Sequence, residues 1–331
     1  MTSKLDRPAS TPAAAAGGAG GALDELAAVV VNWGTAELTI RCVRALVADG
    51  VPPGRVVVVD NGSEDDSHAR LRRELPECPH LRIEKNVGYA RAANAGARLL
   101  PGASAYLFVN NDAFVHRPGS VPALVASLGD ASVGIVVARI LNEDLTLQRQ
   151  TVPIRTPAVA LALATGFAWL VPNRWQPRWG WRWDHSVSRE IPASGAVAML
   201  VRGETWERLG GFAELAWLYG EDLDLCWRAR NLGQKVWFTT EAEFVHLEAG
   251  STRKHYDHVK RAELTARAEV EIIRRNLPPL ASRVSLALIG CGMVWPAVYH
   301  ALAGHREAAA RSLAYLRGHL AAMREPRPRA A

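Results

Sequence analysis

Three carboxylates and one imidazole stand where this sequence changes from one kind of structure to another. Asp60, with Asn61, Gly62 and Ser63, ends the run Val56 to Val59, and Asp112 follows Asn110 and Asn111 behind the run Ala105 to Val109. Asp222 opens a helical stretch after Gly220 and Glu221, and His246 ends an apolar strand. A carboxylate at the lip of a parallel strand accepts hydrogen bonds from a base or ribose, although the four residues from Asp60 would equally make a turn with Ser63 as N-cap. Amide and carboxylate oxygens at Asn110, Asn111 and Asp112 suit a hard divalent cation that bridges a diphosphate. A plain polar strand end would carry the same residues.

Asp222 and Asp224 share a helix whose successive residues turn by about 100°, so they diverge and cannot serve one reacting centre. Asp224 lies one turn before Arg228, and an i,i+4 ion pair on the helix surface is its expected duty. Asp222 is thus the candidate general base, expected to be held ionised by the start of the helix. Gly88, after Asn86 and Val87, permits close backbone approach to a ligand ahead of a helix bearing Arg91 and Asn94, as would any turn glycine. His246 leads into Glu248, Gly250, Ser251, Arg253 and Lys254, a loop whose basic residues are placed to close over a diphosphate.

Positioning these residues requires a sheet. Continuous β-branched runs mark strands covered on both faces, expected at Ala27 to Asn32, Arg55 to Asp60, Leu81 to Glu84, Ala105 to Asn110 and Val133 to Val137. Amphipathic stretches at Ala36 to Asp49, Glu64 to Leu75 and Tyr89 to Leu100 alternate with them. The order βαβαβ predicts an α/β fold with a mostly parallel sheet and ligands at its C-terminal strand ends. Beyond Ile140 a Trp-rich stretch with Trp169, Trp175, Trp179, Trp181 and Trp183 reads either as packed core or as an acceptor-facing surface, since sugars stack on indole rings. Order returns at Ala196 to Val201, then in a helix near Asp222 and a strand pair at Lys235 to Thr240 and Glu243 to His246.

The 331 residues, 49% of them hydrophobic, suffice for a full core. The four cysteines show no metal-ligand spacing and no disulfide framework, which fits a reducing cytoplasm. A net charge of +6 gathers toward the C-terminal third without interleaved aromatics, so anionic lipid or phosphate is expected rather than nucleic acid. Residues 1–25, rich in Ala and Gly, read as a disordered tail. From Asp257 the chain reads helical, and Val284 to Ala303 is nearly free of charge. With Arg283, His305 and Arg306 flanking it, that run is expected to lie in the cytoplasmic membrane interface, a buried helical hairpin being the alternative.

In aggregate the order of motifs resembles the family 2 glycosyltransferases, in particular the branch with bacterial rhamnosyltransferases of the cell envelope. The resemblance rests on Val59-Asp60-Asn61-Gly62-Ser63, Asn86-Val87-Gly88-Tyr89-Ala90, Asn110-Asn111-Asp112, Tyr219 through Leu225 and His246 through Ser251, with Ser194-Gly195-Ala196 and Gly210-Gly211-Phe212 in addition. It implies a GT-A type fold over residues 26–255, a nucleotide diphosphate sugar donor, Mg²⁺ or Mn²⁺, and inversion at the anomeric carbon, with the helical region read over 256–331 as an extension. Carried over by position, Asp60 would contact base or ribose, Asp112 and His246 would hold metal, and Asp222 would be the base. Asn32, Thr35, Glu37, Asn61, Gly88, Arg91, Asn94, Asn111, Gly195, Glu221, Ser251 and Arg253 would line the donor side. Many members carry Asp-x-Asp where this chain has Asn110, one carboxylate fewer for the cation.

Together these features predict transfer of a sugar, with dTDP-rhamnose as the first expectation, to a hydroxyl of a cell-envelope glycan or lipid-linked acceptor. A nucleotidyltransferase of similar sheet and a non-catalytic nucleotide-sugar-binding assembly protein are the alternatives, and the first strand lacks the phosphate loop that the former would need. The oligomeric state is left open, a homo-oligomer included.

Overall fold

The computed structural model describes residues 19–176, 183–214, 219–247 and 257–326. Strands β1 (Leu26–Asn32), β2 (Val56–Asn61), β3 (His80–Ile83) and β4 (Ala105–Asn110) pair in parallel in the order β3-β2-β1-β4. Their side chains are buried on both faces except along the β3 edge, as the unbroken Val runs require. Helices α1 (Ala19–Asp24), α2 (Ala36–Ala48), α3 (Ser67–Glu74) and α4 (Tyr89–Ala97) precede or connect them. Within the tail expected to be disordered to residue 25, residues 19–24 form helix α1 with Leu23 buried against Gly50, and residues 1–18 lie outside the described residues.

Beyond β4 the sheet becomes mixed. After β5 (Ala113–Val115) and α5 (Ser120–Ala126), β6 (Val133–Leu141) runs four residues past the expected Val137. It lies between β10 (Ala198–Arg202), antiparallel to both β4 and β6, and β11 (Lys235–His246), parallel to β6. The expected strand pair at 235–246 is one strand, with a register break between Thr239 and Glu243. β5 and β8 (Arg189–Ile191) add antiparallel to β11, while β7 (Thr151–Val152) and β9 (Ala193–Ser194) form a separate two-stranded ladder. Helix α6 (Pro157–Ala164) follows β7, and α7 (Gly203–Leu209) and α8 (Glu221–Asn231) follow β10.

The chain then packs α9 (His258–Asn276), α10 (Pro279–Leu302) and α11 (Arg306–Arg324) against α8 and α6. A polar anchor fixes the first of these: Asn276 Nδ2 donates to Asp224 Oδ1 at 2.8 Å, and Arg228 Nε donates to Asp224 Oδ2 at 2.5 Å. Asp224 does pair with Arg228, but not on the helix surface. It is fully buried, because α9 lies across it. The Trp-rich stretch divides: Trp183 is buried and stacks on His185, whereas Trp169 and Trp175 are exposed. Trp179 and Trp181 lie outside the described residues.

Helix α8 is aimed by its entry. Tyr219 and Gly220 both hold left-handed backbone, φ 71° and 90°, and a Cβ added at Gly220 would stand 2.6 Å from Ile272 Cδ1 of α9. Gly233 has φ 82° but open space around it. A Gly220→Ala variant combines backbone strain with an overpacked contact and is expected to lose roughly 2–4 kcal/mol, against about 1 kcal/mol for Gly233→Ala. Chemical unfolding of both variants checks this, and equal losses would contradict the close approach.

Candidate functional site

Sheet register brings the polar strand ends together. Asn32, the last residue of β1, is opposite Asp60 of β2, and Val31 is opposite Asn110 of β4. The Asn110 N–H donates to Val197 O at 2.9 Å, and the Ala196 N–H beside it donates to Asp222 Oδ2 at 3.0 Å. His246 is opposite Ala113, one residue past Asp112. Asp60, Asp112, Asp222 and His246 therefore share one edge of the sheet, although 186 positions separate the first from the last.

At one end of this edge, Asn32 Nδ2 donates to Asp60 Oδ1 at 3.0 Å and Ser63 Oγ donates to the same oxygen. Asp60 Oδ2 is buried without a hydrogen-bond partner among the described residues, the nearest cationic candidate being His68 Nδ1 at 3.9 Å. A carboxylate oxygen left this way costs on the order of 1–3 kcal/mol until something donates to it. Asn32 Oδ1 accepts from Thr39 Oγ1 at 2.8 Å, and Asn111 Nδ2 donates to Thr35 Oγ1 and Thr39 Oγ1 at 2.7 and 3.0 Å. Asn61 ties the β2 end to the next loop, donating to Asn86 Oδ1 at 3.1 Å and accepting from the Val87 N–H at 3.0 Å. Gly88 caps α4 with φ 87°.

In the middle, Asp112 Oδ1 and His246 Nε2 are 3.1 Å apart. His246 Nδ1 donates to Gln148 Oε1 at 2.7 Å, because an amide oxygen only accepts, so the second ring nitrogen faces the carboxylate. Two acceptors this close require a second proton or a cation between them. Adjacent ligands of an octahedral ion with bonds of about 2.1 Å stand about 3.0 Å apart, so one carboxylate and one imidazole here fit a hard divalent cation. Among the described residues no group of three or more His, Cys, Asp or Glu assembles around a common point. Asn110 Nδ2 lies 3.5 Å from His246 Nε2, at the limit of a hydrogen bond.

A hydrogen-bond chain continues from there to Asp222. Gln148 Oε1 also accepts from Gln150 Nε2 at 2.8 Å, and the Gly195 N–H donates to Gln150 O at 3.1 Å. Gly195 stands close to both groups: a Cβ there would meet Gln150 Oε1 at 2.7 Å, so that side chain would have to move, and Asp222 Oδ2 at an ordinary 3.6 Å. The alternation Gln148-Arg149-Gln150 was the available signal for these two glutamines, one side chain of two facing the same way in an extended segment. Tyr89 was missed as well. Its hydroxyl is buried without a partner among the described residues, and burial together with the Glu221 and Asp222 carboxyls pushes its pKa far up.

The start of α8 does not by itself keep Asp222 ionised. Two N–H groups favour its charge, from Ala196 and from Leu223 at 2.7 Å, but burial outweighs them and raises its carboxyl above the ordinary value. Glu221 is pushed up to about 8, first by burial and then by the Asp222 charge. Burial thus raises both neighbouring carboxyls, and the Asp222 charge adds to the rise at Glu221.

The other expected residues are distributed as follows. Asn94 spends its amide on the Phe212 backbone, accepting from its N–H and donating to its C=O, both at 2.9 Å. Arg91 pairs with Glu214 at 3.0 Å, and exposed Glu37 pairs with Arg70. Ser251 and Arg253, with Glu248, Gly250 and Lys254, lie outside the described residues.

The model of the family "Glycosyl transferase family 2" matches residues 28–223, which contain Asp60, Asp112 and Asp222. This chain belongs to glycosyl transferase family 2. The protein is thus a glycosyltransferase, and a nucleotidyltransferase of similar sheet is set aside. Among its relatives in that family, an N-acetylglucosaminyl-diphospho-decaprenol L-rhamnosyltransferase of Mycobacterium tuberculosis is 26% identical over 245 residues, covering 69% of this chain and 78% of its own. An O-antigen biosynthesis protein, RfbC, of Myxococcus xanthus is 26% identical over 209 residues, 60% of this chain but 15% of its own length. The fold is that of a mannosyltransferase from Pyrobaculum calidifontis solved with GDP-Man and Mn²⁺, at TM-score 0.54 and 16% identity over 90% of this chain and 86% of that one. GalNAc-T7, solved with UDP, GalNAc and Mn²⁺, gives TM-score 0.52 at 16% identity over 75% of this chain and 47% of that one.

A raised Glu221 carboxyl stabilises the fold only while protonated. That contribution is present in full below the ordinary carboxyl range near 4.5 and is lost as pH rises through about 8. In Glu221→Gln the loss disappears, so the variant's Tm advantage over the parent should be larger at about pH 9 than at about pH 5. An advantage that does not grow with pH would contradict the assignment.

Proposed function

We propose that this glycosyltransferase inverts the configuration of its donor sugar in a single displacement, with a nucleoside diphosphate leaving and a hydroxyl of a cell-envelope glycan or lipid-linked acceptor attacking. The observation that carries the reading is the shared edge on which the unpartnered Asp60 oxygen, the Asp112–His246 pair and Asp222 succeed one another. Asp60 Oδ2 accepts from the base or ribose, and the Asn32, Thr35 and Asn111 network fixes the pocket wall beneath it. Asp112 and His246 would hold the cation, Mg²⁺ or Mn²⁺. When bound, that ion supplies positive charge to the departing diphosphate.

Asp222 Oδ2 takes the proton of the acceptor hydroxyl as its oxygen bonds to the anomeric carbon and the carbon–oxygen bond to the diphosphate breaks. Its two backbone N–H donors, from Ala196 and Leu223, orient the carboxylate and favour its charge. Arg253 and Lys254, outside the described residues, would supply positive charge where negative charge develops on the diphosphate. The 26% identity to an L-rhamnosyltransferase supports dTDP-rhamnose as the first donor to test and a polyprenyl diphosphate sugar as the first acceptor.

The test is transfer by the purified protein, read as nucleoside diphosphate release and labelled product. Asp222→Asn should lower turnover by roughly 10²–10⁴-fold while thermal stabilisation by dTDP with Mn²⁺ persists. Near-normal turnover in that variant removes Asp222 from the role of base.

A further inference from the structure

A helix at the surface of a soluble domain turns its polar residues outward. Helix α10 departs from this. Its buried positions are Ser282, Ser285, Leu286, Ile289 and Ala297, yet Leu280, Val284, Val294, Trp295, Val298 and Leu302 are exposed along one stripe. Trp295 is 72% and Leu302 84% exposed. By length and composition α10 would also serve as a membrane span, with 22% of its most apolar window buried.

The stripe does not stand alone. α10 packs on α6, where Gly292 approaches Ala164 so closely that an added Cβ would lie 3.0 Å from it. α6 and the turns after it expose Leu161, Phe167, Trp169 and Trp175. From Pro157 to Gln176 and from Pro279 to Arg306 the sequence holds no Asp or Glu, while Arg174, Arg283 and Arg306 are exposed. Two segments more than a hundred residues apart thus present one apolar, aromatic-rich surface with only positive charge on it.

We infer that this joint face of α6 and α10 docks on an anionic bilayer, with α10 lying in the headgroup plane. Its length, about 36 Å at 1.5 Å per residue, would suffice to cross, but its inner face is fixed to α11, where His319 Nε2 bonds Leu286 O at 2.9 Å. Crossing would carry the charged helix α11 into hydrocarbon; lying flat immerses only the stripe. Exposed Trp and Tyr are suited to the interface, and the arginines to anionic headgroups. A second copy is a poorer occupant, since two such faces would bring their arginines together with no carboxylate in either segment to neutralise them. The inference is independent of donor, metal and base, and it reaches the site through the short link from Val152 of β7, which pairs with Ala193 just before Gly195.

Co-sedimentation of the full chain with vesicles tests it. The protein should pellet with phosphatidylglycerol–phosphatidylcholine vesicles, less with phosphatidylcholine alone, and be released by high salt. Replacing Trp169→Glu and Trp295→Glu together should lower partition by about tenfold or more, because charge is driven into the headgroup boundary. Val187→Glu, an exposed apolar position elsewhere, should leave it unchanged, and all variants should unfold with parental Tm. A chain that stays in solution beside anionic vesicles, a double variant that partitions like the Val187 control, or a dimer that the double variant dissolves without any vesicle binding overturns the inference.

Discussion

One amide oxygen joins the two halves of this molecule's polar edge. Gln148 Oε1 accepts from His246 Nδ1 on one side and from Gln150 Nε2 on the other, so it sets which imidazole nitrogen faces Asp112 and also holds the segment that leads to Gly195 and Asp222. A hydrogen bond of this kind contributes only about 1 kcal/mol to stability. Its larger consequence is positional, because a ring turned by a lost acceptor no longer presents a lone pair to the carboxylate.

The sheet supplies the rest of the constraint. Parallel strands β1, β2 and β4 end together because their registers are fixed by two-sided burial, and a one-residue slip would turn every Val to the wrong face. That same termination puts Asn32, Asp60 and Asn110 side by side. On the far side, the buried Asp224 cluster with Arg228 and Asn276 fastens α9 to α8, so the helical C-terminal region also helps to aim the residue two positions earlier.

Strand ends were legible in the sequence because β-branched runs stop abruptly at polar residues; β1 to β4 lie within one residue of expectation, whereas β6 runs four residues further. What stayed hidden depends on tertiary contact. β7 and β9 span two residues each, too short for any periodicity, and Gln148 and Gln150 derive their place from that small ladder. Asp224 reads as a surface ion pair until α9 covers it. The tryptophan run is neither wholly core nor wholly surface, since Trp183 packs on His185 and Phe238 while Trp169 and Trp175 are exposed. Burial also reversed the expected electrostatics of Asp222, a term that helix position alone does not contain.

The role of the Gln148 oxygen is tested most directly by Mn²⁺ affinity, read by electron paramagnetic resonance with a nucleoside diphosphate present. Gln148→Leu, which leaves His246 Nδ1 without its acceptor, should weaken Mn²⁺ binding by roughly 10–100-fold, and Gln148→Glu, which keeps an acceptor there, should retain most of it. Parental affinity in Gln148→Leu would contradict the account.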